Sequence, residues 1–352
     1  MYARETPTTV DFSSAWVLFI AVVLLAWAFD FLNGFHDAAN AIATIVSTKV
    51  LTPTQAVIFG SLFEFAGALS GTAVASTIGK GIIESTQMTM DIILCALISA
   101  ILWNLITWYK GLPSSSSHGL IGALVGATVF SSINGVGYVH WQKLVEKVIM
   151  PMVIYPVIGL TFGFLFMTVL TWLVYKQPVY RIHSVFGKLQ LVSAAAMACA
   201  HGNNDAQKSM GIITLGLMTL TPAAHQVFHV PMWVMVSCAF FIAMGTLSGG
   251  WRIIRTLGSK MIKLQPVHGF AAETTAASVI LTASHYGIPV STTHLISSAI
   301  MGVGATRRLS AVKWTVVVNI LMAWGLTIPI TFAVSGLLTF CYRHLANLMS
   351  QF

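Results

Sequence analysis

Asn33-Gly34-Phe35-His36-Asp37-Ala38-Ala39-Asn40 follows an apolar run, Ala15 to Phe29, that is typical of a membrane helix. A second version, His201-Gly202-Asn203-Asn204-Asp205-Ala206-Gln207-Lys208, follows another apolar segment. We call these two stretches the signatures; in both, Gly lies three residues before Asp and Ala follows Asp. A membrane helix broken at Gly is tolerated only where it lines protein or a polar cavity. We therefore expect breaks at 33–40 and 202–208, a pattern that points to the central site of a transporter.

The composition is that of an integral membrane protein. The chain is 56% hydrophobic and 8% charged, with a mean hydropathy of +0.82, whereas soluble domains carry about 25% charged residues. Its apolar segments run to roughly 20 residues, which indicates an all-α fold in the lipid bilayer rather than a barrel. We attribute the net charge of +8 to Lys and Arg residues beside the membrane on its cytoplasmic side. No nucleic-acid partner is therefore expected. The first apolar run lacks a basic leader and a cleavage site and is expected to be a retained span.

The chain holds about ten apolar segments and an internal repeat. Gly111-Leu112-Pro113-Ser114-Ser115-Ser116-Ser117-His118 matches Gly287-Ile288-Pro289-Val290-Ser291-Thr292-Thr293-His294. Ala66-Gly67-Ala68-Leu69-Ser70-Gly71 also resembles Met244-Gly245-Thr246-Leu247-Ser248-Gly249. With the signatures, three matched blocks occur in the same order in both halves. This predicts a duplication, with residues 1–175 and 176–352 as two transmembrane repeats, each containing a helical hairpin.

The distribution of basic residues predicts the orientation. If each signature segment crosses once and each hairpin returns to its starting side, one face holds 11 of the 18 basic residues and the other holds five. The first group is Lys49, Lys176, Arg181, Lys188, Arg252, Arg255, Lys260, Lys263, Arg307, Arg308 and Lys313; the second is Arg4, Lys80, Lys143, Lys147 and Arg343. The positive-inside rule then places both termini outside. Each half crosses an odd number of times, so the repeats are inverted, and the hairpin limbs are long enough to be either re-entrant or fully spanning.

Ionisable residues inside the apolar segments are candidate functional groups, because a charge in the bilayer is costly unless it is paired. Five acidic residues qualify: Asp30, Asp37, Glu64, Asp205 and Glu273. Asp37 and Asp205 hold equivalent positions and are expected to be functional. Glu64 and Glu273 are either functional or interhelical partners, and Asp30 is interpreted as an interior hydrogen-bonding group. Lys208, deep in its segment, requires a carboxylate or a bound anion.

Two hydroxyl triplets form the second candidate site. Ser115-Ser116-Ser117 and Ser291-Thr292-Thr293 each follow a Gly-x-Pro turn and precede a new helix. Hydroxyls and free N–H groups at a helix N-terminus bind anions, whereas simple capping needs only one hydroxyl. We therefore favour ligand binding over capping alone. The four histidines near these motifs, His36, His118, His201 and His294, lack zinc-site spacing and are expected to hydrogen-bond, and the four cysteines show no paired spacing.

The signatures and the two Pro-Ser/Thr-His elements resemble those of the inorganic phosphate transporter (PiT) family over nearly the whole chain. The resemblance implies inverted repeats, outward-facing termini, a homodimer, and secondary transport of inorganic phosphate with a coupling cation. Sodium-coupled members carry Asn where this chain has His36, and a later Asn where it has Lys208. Both departures resemble the bacterial low-affinity branch, found in the plasma (inner) membrane and associated with proton coupling and metal–phosphate substrate.

These motifs predict the residues that act on phosphate and on the coupling ion. The predicted phosphate-binding residues are Asp37, Asn40, Ser115, Ser116, Ser117, Asn204, Asp205, Lys208, Ser291, Thr292 and Thr293. The predicted coupling residues are His36, Asp37, Asn40, Asp205 and Glu273. Coupling has a physical reason, because two like charges 4 Å apart repel by about 4 kcal/mol at an effective dielectric constant near 20. Lys208 could supply a fixed positive charge where sodium-coupled relatives bind an ion, and a protonated Asp could supply the rest.

We therefore predict a proton-coupled phosphate symporter with no cofactor and no resident metal. Sodium coupling and sulfate transport by the same fold remain alternatives, because serines and helix ends bind any tetrahedral oxyanion. A channel is a further alternative, and it would give a high flux of the anion without accumulation that depends on pH or sodium. An intramembrane hydrolase is disfavoured, since no Gly-x-Ser-Gly motif stands out and the motifs are duplicated.

Overall fold

The computed structural model describes residues 12–84, 87–132, 134–220 and 228–349, which are almost entirely helical. In the first half the helices are α1 Phe12–Ser47, α2 Pro53–Ala68, α3 Ala73–Lys80, α4 Met90–Lys110, α5 Ser116–Val129, α6 Trp141–Leu144 and α7 Met150–Val174. In the second half they are α8 Val179–Leu220, α9 Met232–Ser248, α10 Trp251–Arg255, α11 Pro266–His285, α12 Thr292–Ala305 and α13 Trp314–Met349. Short π-helical turns join α6 to α7 and extend α10.

Five helices of the described part are long and apolar enough to cross a membrane. Two bent pairs, α2 with α3 and α9 with α10, turn by 69° and 59° at their junctions and raise the number to seven. The all-α membrane fold is thus confirmed, while the number of about ten segments stays a prediction. The 14-residue limbs α5 and α12 extend about 21 Å at 1.5 Å per residue. Neither limb reaches across a hydrocarbon core of about 30 Å by itself.

The expected breaks at 33–40 and 202–208 are wrong: α1 and α8 run unbroken through both signatures. The glycines of the signatures instead allow α1 and α8 to pack closely against neighbouring helices. A Cβ on Gly34 would lie 2.0 Å from the carbonyl oxygen of Ile242, and a Cβ on Gly202 would lie 2.0 Å from that of Glu64. Because only glycine allows backbones to approach this closely, each signature helix packs tightly on a helix of the opposite half. The breaks of this fold lie between α2 and α3 and between α9 and α10.

Reciprocal contacts repeat the same pattern in both halves. A Cβ on Gly67 of α2 would lie 2.1 Å from the carbonyl oxygen of Cys199 of α8, and one on Gly245 of α9 would lie 2.0 Å from that of Phe31 of α1. Aligned by the signatures, Phe31 and Cys199 are equivalent positions, as are Gly67 and Gly245 in the second matched block. The packing of α2 on α8 is therefore equivalent to the packing of α9 on α1. The predicted division at residue 175 falls in the connection between α7 and α8 and stays a prediction.

Both hairpins form as helix–turn–helix units. Gly111 directly follows α4 and Gly287 lies two residues beyond α11, and each has a φ of 65°, the left-handed backbone that glycine adopts without strain. The Ser117 hydroxyl donates to the carbonyl oxygen of Val290 over 3.1 Å, so the tip of one hairpin touches the tip of the other. α5 packs on α13 and α12 packs on α7, which fixes both tips inside the protein. The termini that are expected outside, residues 1–11 and 350–352, lie beyond the described residues.

Candidate functional site

The signatures of α1 and α8 meet the two hairpin tips in the interior of the protein. All eleven predicted phosphate-binding residues are there, and none is more than 5% exposed. Polar groups at this depth require partners, and the partners that they find are mostly one another. The structure therefore brings together the residues that sequence patterns assigned to phosphate.

Asp37 and Asn40 connect α1 to both hairpin tips. The Asn40 amide donates to the hydroxyls of Thr293 and Thr292 over 2.8 and 3.2 Å. The Asp37 carboxylate accepts from the hydroxyl of Ser116 over 3.3 Å and from that of Thr293 over 3.4 Å. One carboxylate thus contacts a hydroxyl from each hairpin tip.

Lys208 provides the positive charge of the site. Its Nζ lies 2.9 Å from Oδ1 of Asp205, one turn earlier on α8. It also donates to the Ser116 hydroxyl over 3.2 Å. A buried lysine that reaches both a carboxylate and a hydroxyl can compensate an anion bound among these groups.

The hydroxyls of each triplet divide between capping and the site. Ser115 and Ser291 accept from the backbone N–H of His118 and of His294, both over 3.2 Å, and so cap α5 and α12. Ser116, Thr292 and Thr293 face the signature helices through the contacts above. Because the two helix N-termini converge here, their partial positive charges favour an anion at the tips. The Asn204 amide contacts the same region by donating to the carbonyl oxygen of Val290 over 3.4 Å.

His36 lies behind Asp37. Its Nδ1 is 2.6 Å from Oδ1 of Asp37, and its Nε2 is 3.0 Å from the Thr107 hydroxyl of α4. The Ser114 hydroxyl donates in turn to that of Thr107 over 2.9 Å. His36 therefore fixes the orientation of the Asp37 carboxylate and ties it to the first hairpin.

Two site residues escaped the sequence-based assignment. The Asn33 amide donates to Oδ2 of Asp205 over 3.2 Å. The His201 Nε2 lies 3.3 Å from the same oxygen, while its Nδ1 pairs with Glu64 of α2. Each is the first residue of a signature. That position in the motif is the sequence feature from which their place in the site could have been predicted. Glu64 is thus an interhelical partner, one of the two roles left open for it.

A cation could bind beside these groups. One ligand atom each from Asp37, His201 and Asp205 lie within 4.8 Å of one another. The amide oxygens of Asn33, Asn40 and Asn204 are buried and have no hydrogen-bond partner in the part of the chain that the structure describes. Such oxygens accept from a hydroxyl of a ligand or coordinate a small hard cation.

Glu273, the remaining predicted coupling residue, lies in a separate cluster. Its carboxylate accepts from the hydroxyl of Ser193 over 2.5 Å, from the amide of Gln190 over 3.1 Å, and from the hydroxyl of Thr44. Thr44 is one turn beyond Asn40 on α1. Glu273 therefore adjoins the site on the side of the Ser47 end of α1, and within the described residues it shares no hydrogen bond with the predicted phosphate-binding residues.

The sequence and the fold match known phosphate transporters. A model of the phosphate transporter family matches residues 33–335. A probable low-affinity inorganic phosphate transporter of Rhizobium meliloti is 46% identical over 334 residues, 95% of this chain and 98% of that protein. A protein of the same description from Bacillus subtilis is 43% identical over 323 residues, 90% and 94% of the two chains.

A solved structure described as the sodium-dependent phosphate transporter matches the fold with a TM-score of 0.84 at 24% identity. The match covers 93% of this chain and 99% of that one. The family match spans most of the chain and includes both signatures and both hairpins. It identifies the protein as a transporter rather than an enzyme. This chain is a member of the phosphate transporter family.

Proposed function

We propose that this protein is a secondary active symporter that imports inorganic phosphate together with protons across a bacterial plasma membrane. The phosphate enters as the free anion or as a metal–phosphate complex. The observation that carries the proposal is the position of Lys208, whose ammonium lies between Asp205 and Ser116. A fixed cation at this point provides the charge that a bound sodium ion would otherwise supply.

The polar groups of the proposed site suit phosphate better than sulfate. Hydrogen phosphate carries O–H groups near neutral pH, whereas sulfate carries none. The Asp37 carboxylate is an acceptor, and so are the amide oxygens of Asn33, Asn40 and Asn204, which have no partner among the described residues. These groups can receive hydrogen bonds from P–OH. A sulfate ion would meet these acceptors without a proton to donate, and unpaired buried polar groups weaken binding.

Sodium coupling is the second candidate, favoured by the cluster of Asp37, His201 and Asp205. Under this alternative the coupling cation binds at the cluster and Lys208 serves only as the partner of Asp205. The relatives that match over most of their length bear descriptions that specify phosphate and no coupling ion.

Uptake of labelled phosphate into proteoliposomes tests the proposal. We expect accumulation under an inside-alkaline pH gradient without sodium, and no competition from an excess of sulfate. Adding a chelator of divalent cations separates uptake of the free anion from uptake of a metal complex. Accumulation that requires a sodium gradient would favour the second candidate, and competition by sulfate would contradict the assignment of the substrate.

We further propose that residues 1–175 and 176–352 are inverted repeats, that both termini face outward, and that the transporter is a homodimer. Equivalent glycines of the two halves make equivalent close contacts with neighbouring helix backbones, which supports the duplication, and the asymmetry of basic residues supports the orientation. Crosslinking of the purified protein in lipid measures the oligomeric state directly.

A further inference from the structure

Asp30 is a buried carboxylate that the proposed phosphate site does not use. It lies on α1, is 0% exposed, and accepts from the Ser209 hydroxyl of α8 over 2.6 Å. Its second oxygen, Oδ2, is buried and meets no nitrogen or oxygen donor among the described residues, while the Cys238 thiol of α9 also interacts with this carboxylate. Ser209 directly follows Lys208, so Asp30 borders the site on the side of the Phe12 end of α1.

The five buried carboxylates differ in their partners. Asp37 pairs with His36, Asp205 pairs with Lys208 and His201, and Glu64 pairs with His201. Within residues 12–84, 87–132, 134–220 and 228–349, no Lys, Arg or His pairs with Asp30 or Glu273. Their hydrogen-bond donors are hydroxyls, an amide and, for Asp30, the Cys238 thiol, none of which carries a positive charge. A buried carboxylate without a cationic partner is favoured as the neutral acid, which requires a proton.

The charged and titratable groups that face Asp30 leave it without a dedicated counter-ion. They are Lys208 and Asp205 of α8 and the Cys238 thiol of α9. Lys208 is already paired with Asp205. The thiol is neutral when it is protonated, so it does not compensate a carboxylate.

The spacing along α1 places Asp30 in line with the site. Asp30, Asp37 and Thr44 are seven residues apart, which is two helical turns, so all three lie on one face of α1 at intervals of about 10 Å. Thr44 donates to Glu273. The two carboxylates without a cationic partner therefore border Asp37 on opposite sides, Asp30 toward the Phe12 end of α1 and Glu273 toward the Ser47 end.

Ser209 can serve Asp30 with or without a proton. Its hydroxyl is 2.6 Å from Asp30 Oδ1 and 3.4 Å from the carbonyl oxygen of Ala26. A charged Asp30 accepts from this hydroxyl. A protonated Asp30 can donate to the Ser209 oxygen, which then donates to Ala26, so neither state leaves the hydroxyl without an acceptor.

We propose that Asp30 binds the proton that is transported with phosphate, on the side of the site that faces the Phe12 end of α1. The inference rests on the proposed proton coupling and extends it to a residue outside the signatures. Phosphate brings negative charge close to Asp37 and Asp205, and a proton on Asp30 removes one negative charge from the same region. Release of that proton with the substrate couples the two fluxes.

The test compares Asp30→Asn, Asp30→Glu and wild type in proteoliposomes. A pH gradient of about one unit supports about tenfold phosphate accumulation for each coupled proton. We expect Asp30→Asn to lose this accumulation while it keeps phosphate exchange at equal pH within about threefold of wild type. Asp30→Glu should retain accumulation, as should the control Asp91→Asn, which removes a carboxylate that pairs with Arg343 at one end of α4.

The outcomes separate the two levels of the proposal. Wild-type accumulation driven by protons, with Asp30→Asn behaving as wild type, overturns the role of Asp30 and leaves the proposed function intact. Wild-type accumulation that needs sodium overturns both. If Asp30→Asn does not fold, Ser209→Ala decides: loss of its hydroxyl should move the pH midpoint of uptake upward by about one unit, and an unchanged midpoint overturns the role of Asp30.

Discussion

The ammonium of Lys208 lies 2.9 Å from the carboxylate of Asp205, one turn apart on α8, and both residues are 0% exposed. Removing one partner of such a pair leaves an uncompensated buried charge. The pair therefore places a fixed cation at the centre of the proposed transport site, where its effect on coupling can be measured.

Lys208→Asn should weaken phosphate transport at low sodium, with any recovery coming from added sodium. The amide removes the fixed charge and offers an oxygen that can coordinate an ion in its place. Asp205→Asn should nearly abolish proton-driven uptake, because an amide neither carries a proton nor pairs with Lys208. The measurement is uptake by both variants as a function of pH and sodium concentration. Normal sodium-free transport by Lys208→Asn would exclude Lys208 as the substitute for a coupling cation.

Ser116→Ala combined with Thr292→Ala should weaken phosphate binding by at least roughly ten- to a hundredfold, since each hydrogen bond to a charged group contributes about 1.5–3 kcal/mol. Binding to the purified protein measures this effect. The matched control is Ser115→Ala with Ser291→Ala, which removes two helix caps. The control should lower the free energy of unfolding by about 1 kcal/mol per cap and change affinity less. Equal affinity in wild type and in the first double variant would assign these hydroxyls to structure alone.

Gly34→Ala and Gly202→Ala should each destabilise the protein by about 1–3 kcal/mol or more, because the new Cβ would lie 2.0 Å from a carbonyl oxygen of the neighbouring helix. Gly187→Ala in α8 is the control, since its Cβ would meet no atom of another described segment within 4 Å. That variant should be neutral or stabilising by up to about 1 kcal/mol. Thermal unfolding in detergent measures all three, and an undisturbed Gly34→Ala would contradict the close contact of α1 with α9.

The predicted orientation can be tested by labelling single cysteines in a variant that lacks the four native ones, of which Cys341 is exposed. A cysteine at Val136, between α5 and α6, should react with an impermeant reagent added outside. A cysteine at Leu309, between α12 and α13, should react only after the membrane is opened. Both positions are exposed. The opposite pattern would reverse the orientation, and labelling of both from one side would contradict the inverted topology.

The sequence by itself predicted the helical membrane fold, the duplication, the two hairpins and most residues of the site. These features follow from local rules. Bilayer thickness sets the length of an apolar helix, a glycine in the left-handed conformation permits the hairpin turn, and a charge is retained in an apolar segment only with a partner. Asp37, Asp205 and Lys208 stood out for that last reason, before any contact between them was known.

The tertiary structure alone decided how the signature glycines act. A glycine is compatible with either a broken helix or a close helix crossing, and only the neighbouring backbone distinguishes them. The carbonyl oxygens of Ile242 and Glu64 show that Gly34 and Gly202 serve crossings. Tertiary packing likewise brought the Ser116 and Thr292 hydroxyls to the signature helices, paired His201 with Glu64, and left Asp30 without a cationic partner among the described residues. These outcomes depend on contacts between residues far apart in the chain, for which local sequence patterns carry no signal.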